Sequence, residues 1–258
     1  MTNNLISNSC ISFAQEEQLL PPDIEEYIIN SRKHSEFFLN EIADPREKSV
    51  LIVGSGWGTE ILWCIEKGAK NVVGVDPAPR SMKPLNNILS DRCLIQRYTV
   101  HQALTEDIAA AGMKFDLVLS NNAFEHISDI HSCLGACKSV LKNEESRVAI
   151  FTDPLFYSSA GSHLPIEPWQ HLWDSEESFR NKVDDWLWTE YKYLNKMTVT
   201  DFLNAIRVNN FSVLKMSTVK DRNLGLLQMY KSKIVNNIRV SDMDLSIEGI
   251  SIELSAIF

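Results

Sequence analysis

An apolar strand that runs directly into glycines at alternate positions constrains the fold of this chain more than any other feature: Val50-Leu-Ile-Val-Gly-Ser-Gly-Trp-Gly58. Glycine tolerates positive φ and lets a ligand come close to backbone. A helix predicted from about Thr59 to Glu66 would aim its unpaired N–H groups at an anionic group. A tight strand-to-helix turn would use the same glycines with no ligand at all. The next predicted strand, Asn71-Val-Val-Gly-Val, ends in Asp76, a carboxylate suited to accept hydrogen bonds from ribose hydroxyls. Gly54, Gly56 and Gly58 form G-x-G-x-G, whereas a dinucleotide fingerprint sets its third glycine three positions after its second. The pattern points to an adenosine ligand and away from a dehydrogenase.

Lys114-Phe-Asp-Leu-Val-Leu-Ser-Asn-Asn-Ala-Phe-Glu-His-Ile reads as a buried strand with polar residues at its carboxyl end, where open parallel sheets bind ligands. With three motifs in this order, the chain resembles a class I S-adenosylmethionine-dependent methyltransferase of the small-molecule type. The resemblance implies an α/β, Rossmann-like, seven-stranded, mostly parallel sheet in the order 3-2-1-4-5-7-6. Helices would cover both faces, with an acceptor lid inserted after the fifth strand. It implies S-adenosyl-L-methionine as cofactor. Gly54, Ser55, Gly56, Trp57 and Gly58 would hold its methionine part, Asp76 and Pro77 its ribose, and Asn121 and Asn122 would lie beside the sulfonium. Two positions depart from the family pattern. Many relatives carry an acid two places before the first glycine, where this chain has Ile52. The Asp that often reads the adenine amino group is replaced by Leu104, so backbone near Leu104 and Thr105 would take that role. Glu106 and Asp107 would begin the following helix, where carboxylates favour the positive end of the dipole.

A chain of 258 residues with 44% apolar content suffices for one core. Its formal net charge of -9 argues against a nucleic-acid partner. No stretch reads as a membrane span or a signal peptide, which predicts a cytoplasmic protein. The five cysteines are scattered and odd in number, as expected for reduced thiols, and Cys133 and Cys137 fall at helical spacing in an apolar stripe, so no metal site is expected. The domain reading is an N-terminal helical segment over 1–44 and a methyltransferase domain over 45–258, with the lid at about 154–196. Residues 1–22 are expected to be mobile, and Asp23 to cap a helix bearing Ile24, Tyr27, Ile28, Ser31 and Phe38. That helix could cover the cofactor or simply pack on the sheet. Strands are expected near 49–54, 71–76, 93–100, 115–120, 147–152, 211–216 and 245–258, with a helix at 223–238.

Four of the six tryptophans, Trp169, Trp173, Trp186 and Trp188, fall in the expected lid. There the pieces Gly161-Ser-His-Leu, Pro168-Trp-Gln-His-Leu-Trp and Tyr193-Leu-Asn-Lys-Met-Thr resemble a branch of bacterial class I methyltransferases. Methyl transfer needs alignment and water exclusion, worth about 7 to 11 kcal/mol, and a hydroxyl acceptor must also lose a proton. A histidine base supplies roughly 100- to 10,000-fold, and His171, His163 and His126 are the candidates in that order. Each also has a structural reading, as a backbone hydrogen-bonder, a loop-orderer or a core residue. The same tryptophans and acids suit an amine or guanidine acceptor, since an aromatic face attracts a cation by about 0.5 to 2 kcal/mol. An O-methyltransferase acting on a small molecule is the first reading and an N-methyltransferase the second. A non-catalytic cofactor-binding scaffold is the third, and a carrier-bound acceptor also stays open. The oligomeric state is not legible.

Overall fold

The computed structural model describes residues 23–78, 80–162 and 164–257. The leading stretch expected to be mobile, residues 1–22, lies outside the described residues, as does His163.

Seven strands form one sheet in the order β3-β2-β1-β4-β5-β7-β6. β1 (Ser49–Val53), β2 (Asn71–Asp76), β3 (Tyr98–Gln102), β4 (Leu117–Asn121) and β5 (Arg147–Thr152) run parallel, while β7 (Ile247–Ala256) is antiparallel to both β5 and β6 (Phe211–Lys220). Every residue of β1 and β4 is buried, as expected of central strands covered on both faces. One face packs against α1 (Ile24–Ile42), α2 (Thr59–Glu66) and α3 (Lys83–Leu89). The other packs against α5 (Thr105–Ala110), α6 (Ile130–Ser139) and α10 (Val199–Val208). This is the doubly covered sheet that the strand order implies.

The leading helix is part of the core. Asp23 accepts from the Glu26 amide at 3.0 Å, and Ile28, Ser35, Leu39 and Ile42 are buried, while Phe38 stacks on Phe151 of β5 at 4.4 Å. It packs on the sheet, and Tyr27 points outward. Several expected boundaries move. Arg92–Ile95 is a short helical turn, α4, because Asp91 accepts from the Cys93 amide at 2.8 Å; β3 begins only at Tyr98. β6 extends to Lys220, and the expected helix at 223–238 is a 3-10 turn, Leu224–Leu226, followed by α11 (Leu227–Asn237).

The segment after β5 has a core of its own. Phe156, Trp169, Leu172, Phe179, Leu187, Tyr191 and Leu194 pack with Leu227 and Ile234 of α11 and with Leu245 of α12 (Asp242–Ser246). The lid is therefore built from two chain segments far apart in sequence. Its own helices are α7 (Gln170–Trp173), α8 (Glu176–Arg180) and α9 (Asp185–Tyr193).

If α1 is integral to the fold, Leu39→Ala should cost about 2 to 5 kcal/mol in urea unfolding. A cost below about 0.5 kcal/mol would mean that the helix is only laid on the surface.

Candidate functional site

The turn after β1 is shaped for close approach. Gly54 has φ +73°, and a Cβ there would lie 2.3 Å from the Cβ of Ala123, so the glycine loop and the turn after β4 touch backbone to side chain. At Gly56, φ is +46° and, among the described residues beyond its chain neighbours, no atom lies within 4 Å of where a Cβ would be, which leaves open space above the loop. The carboxylate of Asp76 accepts from the Gly56 amide at 2.8 Å and from the Ala78 amide at 2.9 Å, one donor for each oxygen. Each oxygen keeps a second lone pair, so the group holds the loop and can still accept from a ligand hydroxyl. Trp57 is buried in the loop, with the Arg80 guanidinium 5.1 Å from its ring centre.

Asn121 ends β4 beside this loop and is buried. Its Nδ2 donates to Glu60 Oε1 at 2.7 Å and to Ser35 Oγ at 3.2 Å, joining α2 and α1 to the sheet edge. Burial lifts the Glu60 carboxyl to about 7. Asn121 Oδ1, Asn122 Oδ1 and Ser55 Oγ are buried with no hydrogen-bond partner among the described residues. Such orphaned acceptors are uncommon inside proteins and cluster where a ligand completes them. Around the expected adenine position, Leu104 is exposed and Thr105 buried, while Asp107 accepts from the Leu104 amide at 2.9 Å. Thus Asp107 caps α5, and Leu104 presents an apolar side chain.

Past Asn122 the chain turns into a 3-10 segment, Phe124–His126, which forms one wall of a small, narrow cleft. Ile130, Thr152, Leu155 and Phe156 line it, and Met197, Val199 and Phe202 close it from the start of α10. The lining is apolar apart from a few groups. Chief among these is Glu125, whose buried Oε2 accepts from Thr152 Oγ1 at 2.7 Å. Asn195 ties the end of the lid to this wall: its amide N–H donates to Glu125 O at 2.9 Å, and its Nδ2 donates to Ile127 O at 2.9 Å. His126 is exposed, with Nε2 3.9 Å from Glu125 Oε1. Sequence reading passed over Glu125; the signal available was a carboxylate directly after the polar end of β4.

The leading histidine candidate sits elsewhere. His171 is buried under the lid and donates from Nε2 to Phe156 O at 2.6 Å, with its ring against the Phe156 ring and 2.8 Å from where a Gly161 Cβ would be. Burial pushes its pKa down to about 4. That is the geometry of a packed, neutral core histidine and not of a base open to the cleft. The tryptophan faces offered for an amine are also taken. Trp169 is fully buried, Trp173 carries Lys182 and Lys233 at 5.4 and 5.0 Å, and Trp188 carries Arg180 and Lys192 at 5.7 and 5.6 Å. Nothing is described of the Trp186 side chain. Among the described residues, no three His, Cys, Asp or Glu side chains come together as a metal ion would need. Cys64, Cys93, Cys133 and Cys137 are free thiols.

Residues 50–144 match the family model described as a methyltransferase domain. A ubiquinone biosynthesis O-methyltransferase of Cereibacter sphaeroides is 34% identical over 93 residues, which span 36% of this chain and 36% of the relative. Among solved structures, geranyl diphosphate C-methyltransferase from Streptomyces coelicolor superposes with a TM-score of 0.57 at 12% identity, covering 92% of this chain and 85% of the other. An S-adenosylmethionine-dependent methyltransferase from Mesorhizobium loti gives 0.54 at 15% identity, covering 85% and 96%. The fold is the class I methyltransferase fold. The sequence match to the family model ends at residue 144, before the lid begins.

The raised Glu60 value has a consequence for stability. A carboxyl whose folded value exceeds its unfolded one favours the fold while it is protonated, and that advantage is lost as pH rises from about 4.5 through 7. Glu60→Gln should therefore match the natural chain near pH 4.5 and exceed it at pH 8 by at most on the order of 3 kcal/mol. Thermal melts of both proteins across that range would check this, and parallel curves would refute it. His171 works in the opposite direction, because its folded value lies below the ordinary one: stability present above about 6.5 is lost as pH falls toward 4. Tryptophan fluorescence of the lid should shift over that window, and a His171→Asn variant should lack that pH response.

Proposed function

We propose that this chain, whose residues 50–144 match a methyltransferase-domain model within a class I fold, is an S-adenosylmethionine-dependent methyltransferase that methylates a hydroxyl of a small, largely apolar molecule. The observation that carries the reading is the adjacency of two half-sites. A glycine loop with open space above Gly56 meets Ala123, and the residues that follow, Phe124 and Glu125, wall an apolar cleft holding one buried carboxylate. S-adenosyl-L-methionine supplies an activated methyl group on sulfur. The chain's own residues fit that cofactor: Gly54, Ser55, Gly56, Trp57 and Gly58 would cradle its methionine part. Asp76 and Pro77 would take the ribose, Leu104 and Thr105 the adenine, and Asn121 and Asn122 the edge nearest the methyl group. Ile52 leaves the end of β1 without an acid, and the orphaned acceptors of Ser55, Asn121 and Asn122 offset that loss.

What remains for the protein is alignment, water exclusion and the acceptor's proton. Phe124, Phe156, Met197 and Phe202 wall the cleft with apolar surface, which suits a hydrophobic body and keeps water out. Glu125 is the group placed to take the hydroxyl proton. Its carboxylate is held at Oε2 by Thr152, and His126 stands at its solvent side to pass the proton on. His171 holds the lid by packing between Phe156 and the Gly161 turn. The hydroxyl reading is further supported by the matched relative, which is named an O-methyltransferase. The amine reading loses its main support, since the lid's own lysines and arginines occupy the tryptophan faces that would have bound a cation.

Incubation of the protein with S-adenosylmethionine and small-molecule extracts should yield, by mass spectrometry, a species heavier by one CH₂ whose fragments place it on oxygen. Saturable cofactor binding without any such product would favour a carrier-bound acceptor or a non-catalytic cofactor-binding scaffold, and absence of binding would overturn the cofactor reading. Asp76→Ala should weaken the cofactor by roughly 1 to 3 kcal/mol in calorimetry. Glu125→Gln should lower kcat by about 100- to 10,000-fold while leaving the cofactor Kd unchanged. An unaltered kcat would remove Glu125 from the chemistry.

A further inference from the structure

The mechanism above leaves the buried acid beside the glycine loop unused. Glu60 lies in the first turn of α2, directly after the glycine loop, and is only 5% exposed. Its carboxylate receives Asn121 Nδ2, and Ser35 of α1 receives the same amide nitrogen. Both acceptors lie on the helix side, so the amide is oriented: Nδ2 faces α1 and α2, and Oδ1 is left as a buried acceptor without a donor among the described residues. Asn122 Oδ1 beside it is in the same state, and the loop at Gly54 packs against Ala123, the next residue along. A buried carboxylate and two unpaired carbonyl oxygens thus gather at one edge of the glycine loop. In chemical terms this edge wants a cation that also donates hydrogen bonds.

We propose that Glu60 is a positioning residue for the cofactor: through the Asn121 amide it holds Asn121 Oδ1 as an acceptor for the cofactor's ammonium group and adds the negative charge that this group requires. The inference rests on the S-adenosylmethionine reading above. It also accounts for Ile52, because the acid is supplied from α2 instead of from the end of β1. A protonated Glu60 could donate to Asn121 Oδ1 instead, and the amide would then turn over and present Nδ2, a donor, to an ammonium that is itself a donor. Cofactor affinity therefore responds to the ionisation of Glu60, which burial sets near neutrality. The titratable group that faces it is Cys64, one turn along α2, itself pushed well up by burial. From α1 the facing group is the Ser35 hydroxyl, since Arg32 is engaged by Glu36 and Glu66, and from β4 it is Asn121.

The test is calorimetric titration of S-adenosylmethionine into the full chain and into Glu60→Gln, at pH 6 and pH 8, with a thermal melt of each. The natural chain should bind on the order of tenfold more tightly at pH 8 for each unit by which the cofactor lowers the Glu60 value. The variant should keep the weaker, acid-side affinity at both pH values. The cofactor's own amine titrates alike in both, so the difference between the two profiles belongs to Glu60. Superimposable profiles, or a variant that binds as tightly as the natural chain at pH 8, would overturn the proposal. Were the variant to unfold, the natural chain alone decides: at pH 7 it must release protons on binding, seen as buffer-dependent binding heat, and no exchange overturns the idea. A natural chain that binds no cofactor at either pH would defeat the cofactor reading and this inference with it, whereas binding without the pH difference defeats this inference only.

Discussion

The functional edge depends on one close approach, that of the glycine loop after β1 to the Asn121-Asn122-Ala123 turn after β4. A Cβ on Gly54 would fall 2.3 Å from the Cβ of Ala123, well inside van der Waals contact, so no other residue type fits between these turns. The contact fixes how far the two central strands can part at their carboxyl ends. Ser120 Oγ, donating to Val53 O at 3.0 Å, secures the same junction from below. Everything that gathers there, the Asp76 carboxylate on one side and the Glu125 cleft on the other, takes its spacing from this pair of turns.

Around the junction, polar groups are joined across elements and not merely within them. Asp76 reaches back from β2 to the Gly56 amide, Asn121 reaches across to α1 and α2, and Asn195 anchors the end of the lid to the 3-10 turn after β4. Each link stiffens the backbone of a neighbour, which is how a site built on loops acquires the rigidity of the sheet below it. The burial of Glu60 runs against stability above neutral pH, and a residue that costs the fold in this way is more readily understood as serving a ligand than as serving the core.

The lid illustrates how chain segments remote in sequence can share one core. Trp169 and Trp173 pack near Tyr230, and Leu227, Ile234 and Leu245 complete a cluster begun by Phe156 and Phe179. The helix between β6 and β7 thus has a clear purpose: it backs the lid. The cationic side chains over Trp173 and Trp188 turn what looked like an open aromatic wall into a closed, self-satisfied surface. Under the proposed function, substrate selection falls to the apolar cleft beside β4 and β5.

Much of the architecture was legible in the sequence because its signals are local. Alternating apolar strands and helices specify a covered parallel sheet. The run Val50 to Gly58 specifies its first turn, and Asp76 and Asn121 close strands whose length is set by hydrophobic runs. The start of β3 was not, since Cys93, Leu94 and Ile95 are apolar enough for a strand and only the Asp91 cap decides for a helical turn. The histidine ranking was not either: a histidine in a lid sequence carries no mark of whether its ring will face a cleft or the carbonyl of Phe156. By itself the sequence determined the fold class and the glycine-loop half of the site, because strand period and glycine placement act within a few residues. Only the tertiary structure decided which acid enters the acceptor cleft, where His171 is buried and what the tryptophan faces carry. The Glu125 and His171 outcomes depend on Thr152, 27 residues along the chain, and on Phe156, 15 residues back, and the face of Trp173 is partly taken by Lys233 of the distant helix α11, none of which local propensity can register.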